Sequence, residues 1–94
     1  MTFRLSPRAA IDLEEIGDYI ALSNPDRAIS FVDELLSRCA AVAERPTSYP
    51  RREDFGIGIR MAVHGRYRIL FRVDCEGARI ERIVHSARRM PPRL

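Results

Sequence analysis

Ile57-Gly58-Ile59-Arg60-Met61-Ala62-Val63-His64-Gly65-Arg66-Tyr67-Arg68-Ile69-Leu70-Phe71-Arg72-Val73 is the stretch that decides the fold. Apolar residues recur at every second position through Ile57, Ile59, Met61 and Val63, and again through Tyr67, Ile69, Phe71 and Val73. A period of two is that of a strand with one buried and one solvated face. His64-Gly65 breaks the pattern, and glycine supplies the positive φ of a tight hairpin turn. The stretch reads as two antiparallel strands with one wholly apolar face. The opposite face carries Gly58, Arg60, Ala62, Arg66, Arg68, Leu70 and Arg72, and reads as open and arginine-studded.

Downstream, Asp74-Cys75-Glu76-Gly77 is a second turn and Ala78 to His85 a third strand, followed by a basic tail from Ser86 to Leu94. Upstream, residues 46–56 are loop by composition. Before them the period changes to that of a helix. Ala9, Leu13, Ile16 and Ile20 share one face of a first helix, with Asp12, Glu15 and Asp18 on the other side. Ser6-Pro7 opens it: serine caps, and proline is tolerated at the first helical position. Asn24-Pro25 repeats that signal for a second helix, whose stripe is Ile29, Val32, Leu36, Cys39 and Ala43, widened by Ala28, Leu35 and Val42, and which Pro46 stops. So short a connection predicts an antiparallel helix hairpin. Thr2-Phe3-Arg4-Leu5 alternates and reads as a short strand. The expected class is α+β, in the order β-α-α-β-β-β, with the hairpin packed on one face of a mainly antiparallel four-stranded sheet.

The chain has 94 residues, enough for one domain spanning 1–94. All 16 basic residues are arginine, so no lysine chemistry is open to it. No apolar run approaches a membrane span, and the N-terminus lacks the apolar core of a signal peptide, so a cytoplasmic protein is expected. Cys39 and Cys75 are too few for a disulfide framework, and with two scattered histidines they lack metal spacing. No metal or cofactor is expected. Residues 1–45 hold five Arg against eight acids, a net of −3, and residues 46–94 hold eleven against five, a net of +6. Either an anionic partner meets the second half or the asymmetry is that of a solvated surface.

The order and spacing of several short motifs resemble the ParE branch of the RelE/ParE toxin superfamily. They are Leu5-Ser6-Pro7-x-Ala9, Asp12-Leu13-x-x-Ile16-x-x-Tyr19-Ile20, Asn24-Pro25-x-x-Ala28, Phe31-Val32-x-x-Leu35, Gly58-Ile59-Arg60, Gly65-Arg66-Tyr67-x-Ile69-x-Phe71-Arg72-Val73 and Ile80-x-Arg82-Ile83-Val84-His85-x-x-Arg88. The resemblance implies the same β-α-α-β-β-β fold and the toxin component of a type II toxin–antitoxin module. It also implies a cognate antitoxin, ParD-like or related, whose C-terminal segment folds as it wraps the toxin. Operator DNA would be met only indirectly, through the antitoxin. The surfaces to receive that segment are the helix hairpin, with Tyr19, and the arginine face, with Arg60, Arg68, Leu70 and Arg72. Acids in the segment would pair with Arg60, Arg68 or Arg72.

The superfamily divides by target. RelE-like members are ribosome-dependent mRNA endonucleases, and ParE-like members poison DNA gyrase. RelE-like chains resemble one another in using Lys and Arg with a late Tyr, or a Glu, Arg, His and Tyr set. This chain has no Lys and no Tyr after Tyr67. His85 is the one candidate base, and its ordinary role is to order the tail. Glu53-Asp54 and Glu81 lack convergence for a metal, and Glu81 is expected to pair with an arginine of a neighbouring strand. His64 is expected to be a solvated turn residue. The chain therefore reads as a gyrase-directed toxin without a catalytic site, with His85, Arg88, Arg89 and Met90, and less directly Arg93, as residues of toxicity. An mRNA endonuclease and a non-toxic module that only binds its antitoxin are the alternatives.

Overall fold

Ser6 stands where the first strand must become a helix, and its side chain settles the change. In the computed structural model, which describes residues 2–87 and Leu94, Ser6 Oγ accepts from Ala9 N at 3.0 Å and donates to the Glu81 carbonyl at 2.8 Å. Strand β1 (Thr2–Leu5) thus ends and helix α1 (Pro7–Ala21) begins at an N-cap stitched to the sheet. Asn24 caps α2 (Pro25–Glu44) in the same way, its Oδ1 accepting from Arg27 N at 3.1 Å. Two short 3-10 turns, Pro46–Ser48 and Glu53–Phe55, lead into β2 (Arg60–His64), β3 (Tyr67–Asp74) and β4 (Gly77–His85). The sheet order is β1-β4-β3-β2, with β1 parallel to β4 and the other pairs antiparallel. At Gly77 (φ +123°) a Cβ would lie 2.3 Å from the Thr2 carbonyl, so only glycine lets β1 approach there.

The helix hairpin covers one face of the sheet. Ala9, Leu13 and Ile16 of α1 and Leu35, Cys39, Val42 and Ala43 of α2 pack with Ala62, Ile69, Phe71, Ala78, Ile80 and Ile83. The α2 stripe is rotated from the expected one: Ile29 is 68% exposed, and Ala28 and Leu35 are buried instead. Burial holds the Cys39 thiol protonated, its pKa pushed up to about 11, while Cys75 is exposed and both cysteines are free.

The hairpin register corrects the expected face of β2. The two loop residues are Gly65 and Arg66, with His64 opposite Tyr67 and Ala62 opposite Ile69. Gly65 takes φ +58° at the first loop position, a conformation natural to glycine in hairpin turns. Residues directly opposite share a face. Arg60, Ala62 and His64 therefore lie on the helix side, and Ile59, Met61 and Val63 on the other. That second face is not open along its length. Phe55 and Ile59 close over Leu70 and Val84, with Met61 against them, as a second apolar cluster.

Asp12 is also not where hydropathy puts it. It is only 4% exposed. Its carboxylate accepts from Arg82 Nε at 2.9 Å, Arg82 Nη2 at 3.2 Å and Ile83 N at 2.9 Å. These bonds meet β4 where its pairing with β3 slips at Leu70/Phe71, leaving Glu81 as an extra residue. Glu81 pairs with Arg72 of the neighbouring strand at 2.5 Å, as expected. His64 is not a solvated turn residue: it ends β2, with Nε2 3.2 Å from Glu34 Oε1 on α2.

Asp12→Ala strands the Arg82 guanidinium and the Ile83 amide, and should cost about 3 kcal/mol. The measure is the urea midpoint at unchanged slope, and a loss near zero would contradict the role given to Asp12. The Arg27 guanidinium, and then His64, hold the Glu34 carboxyl below the usual carboxylate range. That stabilisation is complete above a pH of about 4, the unfolded carboxylate value, and is lost as pH falls through the lowered folded value. Glu34→Gln should therefore lower the melting temperature at pH 6 and flatten its fall toward pH 3. Parallel curves for the two proteins would count against it.

Candidate functional site

The flush pairing of β2, β3 and β4 sets three rings in one row. His64 opposes Tyr67, and Tyr67 opposes His85. The Tyr67 and His85 rings meet edge to face, with centroids 5.0 Å apart at 88°. Phe31 of α2 packs at a tilt against both residues that flank the hairpin loop, 5.6 Å from His64 and 5.4 Å from Tyr67. Arg27 lies over Phe31 at 5.0 Å and pairs with Glu34. Such tilted ring pairs and the cation over a ring each add to burial energy. His85 Nδ1 accepts from Ala87 N at 3.0 Å, which assigns the proton of the neutral ring to Nε2. Ser86 N donates to the Arg66 carbonyl at 2.7 Å and fixes where the tail leaves the sheet. A cleft of about 240 Å³, lined by Ile16, Tyr19, Tyr67 and His85, opens beside the row.

The residues proposed from sequence do not converge on one surface. His85 takes its place in the ring row, but Arg88, Arg89, Met90 and Arg93 lie outside the described residues. Tyr19 is 67% exposed on α1. Arg60 is on the helix side, where its Nη1 donates to the Tyr49 carbonyl at 2.7 Å and the Thr47 carbonyl at 3.4 Å. It holds the loop after α2 and does not share a face with Arg68 and Arg72. Leu70 has no exposed surface at all and is withdrawn from any direct contact. Arg68 is half-buried; with Arg52 acting first, its charge helps keep the Asp54 carboxyl below the usual range. Arg72 clasps three partners: the Ile57 carbonyl at 2.9 Å, Glu81 at 2.5 Å and the Leu94 carbonyl at 2.8 Å.

The sequence reading missed Tyr67, Phe31 and Glu34 as members of the site. Only the length of the hairpin loop could have shown it, because two loop residues after His64 bring Tyr67 opposite. On the outside of the helix hairpin lies a second surface feature. Gly17 and Ala21 of α1 and Ala28, Ile29 and Val32 of α2 line a shallow apolar groove, with Asp18 and Asp33 on its lining. Among the described residues, no three His, Cys, Asp or Glu side chains gather as a metal site. No helix of the described residues is long and apolar enough to cross a membrane.

The fold matches chains in solved structures of toxin–antitoxin systems. One is described as the chromosomal ParDE TA system from P. aeruginosa: TM-score 0.77, 22% identity, covering 90% of this chain and 95% of that one. At that identity the likeness speaks for the fold. Another is the crystal structure of the toxin–antitoxin complex RelBE2 from Mycobacterium tuberculosis, at TM-score 0.60 and 28% identity, covering 89% of this chain and 95% of that one. No curated protein matches the chain. The family described as the ParE toxin of the type II toxin–antitoxin system, parDE, matches residues 3–90. With nearly every element of the fold inside that match, the chain belongs to the ParE toxin family of the RelE/ParE superfamily.

Proposed function

We propose that this toxin acts by binding, with DNA gyrase as its target, and that a ParD-like antitoxin neutralises it. The observation that carries the binding reading is the closed second face of the sheet. Phe55, Ile59, Leu70 and Val84 fill it, and Arg72 is spent on main-chain carbonyls and Glu81. A nuclease needs a proton acceptor, a donor and positive charge around one phosphate. Here the Arg72 guanidinium is committed to structure. The gyrase target comes from the family. The ring row supports it by fixing His85 and Ser86, the residues from which the basic tail of the sequence departs.

The antitoxin docks in the groove between α1 and α2. Ile29 and the neighbouring Leu22, 85% exposed, offer apolar surface to a segment that folds on binding. The lining acids Asp18 and Asp33 ask for basic residues in that segment. This shifts the expected pairing away from Arg60 and Arg72, whose guanidiniums are already bonded.

Ile29→Asp should weaken capture of the antitoxin encoded beside this chain by roughly thirtyfold or more, the effect of losing a central apolar anchor. Ile57→Asp, equally exposed but on another surface, should not. Equal losses in both would dismiss the groove. The purified chain should block supercoiling by gyrase and accumulate cleaved DNA, with both effects relieved by the antitoxin. Codon-dependent cuts in mRNA on translating ribosomes, with supercoiling untouched, would replace this reading with the endonuclease one.

A further inference from the structure

At the end of the sheet far from the ring row, Arg4 of β1, Arg79 of β4 and Arg72 of β3 are direct neighbours in register. Their flanking residues Phe3, Leu5, Ala78, Ile80, Phe71 and Val73 all pack in the helix-side core, so the three guanidiniums share the second face. Adjacent strands are about 4.8 Å apart, and the row spans about 10 Å. Like charges directly opposite one another are destabilising.

The carboxylates around it match the arginines in number, but of them only Glu81 lines the groove that results. Arg4 is held by Asp74 and Glu76. Arg79 and Arg72 share Glu81. Beside them Arg8 and Arg82 share the buried Asp12, and Arg8 also reaches Glu15 at 3.6 Å. Among the described residues, a groove results whose lining holds Arg8, Arg72, Arg79 and Arg82 against one acidic side chain, Glu81. Arg72 is occupied. Arg79 commits only its Nε, to Glu81 at 2.9 Å, among the described residues. Arg79, Arg8 and Arg82 are each anchored on a carboxylate and line one groove.

We propose that this groove grips the phosphodiester backbone of a nucleic acid. Planar guanidiniums anchored on carboxylates suit bidentate phosphate contact. The lining favours a polymer of phosphates over an acidic peptide. Among the described residues its only apolar members are Pro7 and Leu94, whereas a peptide that folds on binding needs apolar surface to bury. Such surface lies on the helix hairpin instead, at Tyr19, Leu22 and Ile29. The contact is direct, unlike the antitoxin-mediated operator contact that family resemblance implies, and it does not depend on gyrase being the target.

The test is fluorescence anisotropy of the full chain with a labelled duplex DNA and a single-stranded RNA of matched length, titrated in salt. Each phosphate contact contributes a slope of about 0.9 in log affinity against log salt for duplex DNA. Arg79→Gln and Arg8→Gln should each lower the slope by about one and weaken binding about threefold or more near 0.1 M salt. Arg66→Gln, the same charge change at the other end of the sheet, should leave both nearly unchanged. Arg79→Lys should restore most of the slope. The DNA and RNA arms show which backbone is preferred, and binding to either with this residue pattern supports the site. No binding to either, equal losses in Arg79→Gln and Arg66→Gln, or tighter binding of a polyglutamate peptide would overturn it. Melting curves identify any variant that unfolds, and Arg8→Gln, exposed in the first turn of α1, carries the test if Arg79→Gln does.

Discussion

One buried carboxylate holds the two layers of this fold in register. Asp12 projects from α1 and takes both the Arg82 guanidinium and the Ile83 amide of β4. The amide lies past the end of the β1 pairing, which stops at Leu5 opposite Ile80, and takes the carboxylate as its acceptor. The same short segment of β4 supplies the carbonyls of Ile80 and Glu81 that receive Ser6 N and Ser6 Oγ. Helix α1 is thus pinned at its cap and again near the end of its second turn, both times to the irregular part of β4.

The second constraint is a count of residues. Two loop residues in the β2–β3 hairpin, rather than a turn made by His64 and Gly65, decide which side of β2 faces the helices. A slip of one position exchanges every side chain between faces. Ala62 goes inward, and Ile59 and Met61 go outward, where they would be exposed if the loop bearing Phe55 did not fold back over them. The closed second face follows from the hairpin register, and the arrangement of Arg72 follows from the closed face.

Element boundaries were legible because they rest on local chemistry. Ser6-Pro7 and Asn24-Pro25 cap helices by bonds within three residues, and β1 appears as the four residues its alternation marks. The two-fold period identified three strands and a hairpin. What could not be read was anything set by long-range pairing. Asp12 looks like a solvated helix acid because hydropathy does not see Arg82, 70 residues away. Ile29 matched the helical period but sits at the margin of the stripe. Leu70 and Arg60 looked like residues of an open face because alternation reports sidedness only once the register is known. The expected sites suffered most for this reason, since a shared surface is a statement about register and not about spacing.

The absence of lysine has a structural meaning beyond the chemistry it removes. A single carboxylate here repeatedly serves two cations: Glu81 takes Arg72 and Arg79, and Asp12 takes Arg82 and Arg8. Sharing of this kind depends on planar groups that offer several donors at fixed angles, so that one edge binds the carboxylate while another faces elsewhere. An ammonium is a point charge and would concentrate its repulsion on its neighbour one strand away. Guanidiniums let the Arg4, Arg79 and Arg72 row persist across three strands, with Glu81 shared between two of them, and they leave donors over. The same property that makes the row tolerable to the fold makes it able to hold an anion.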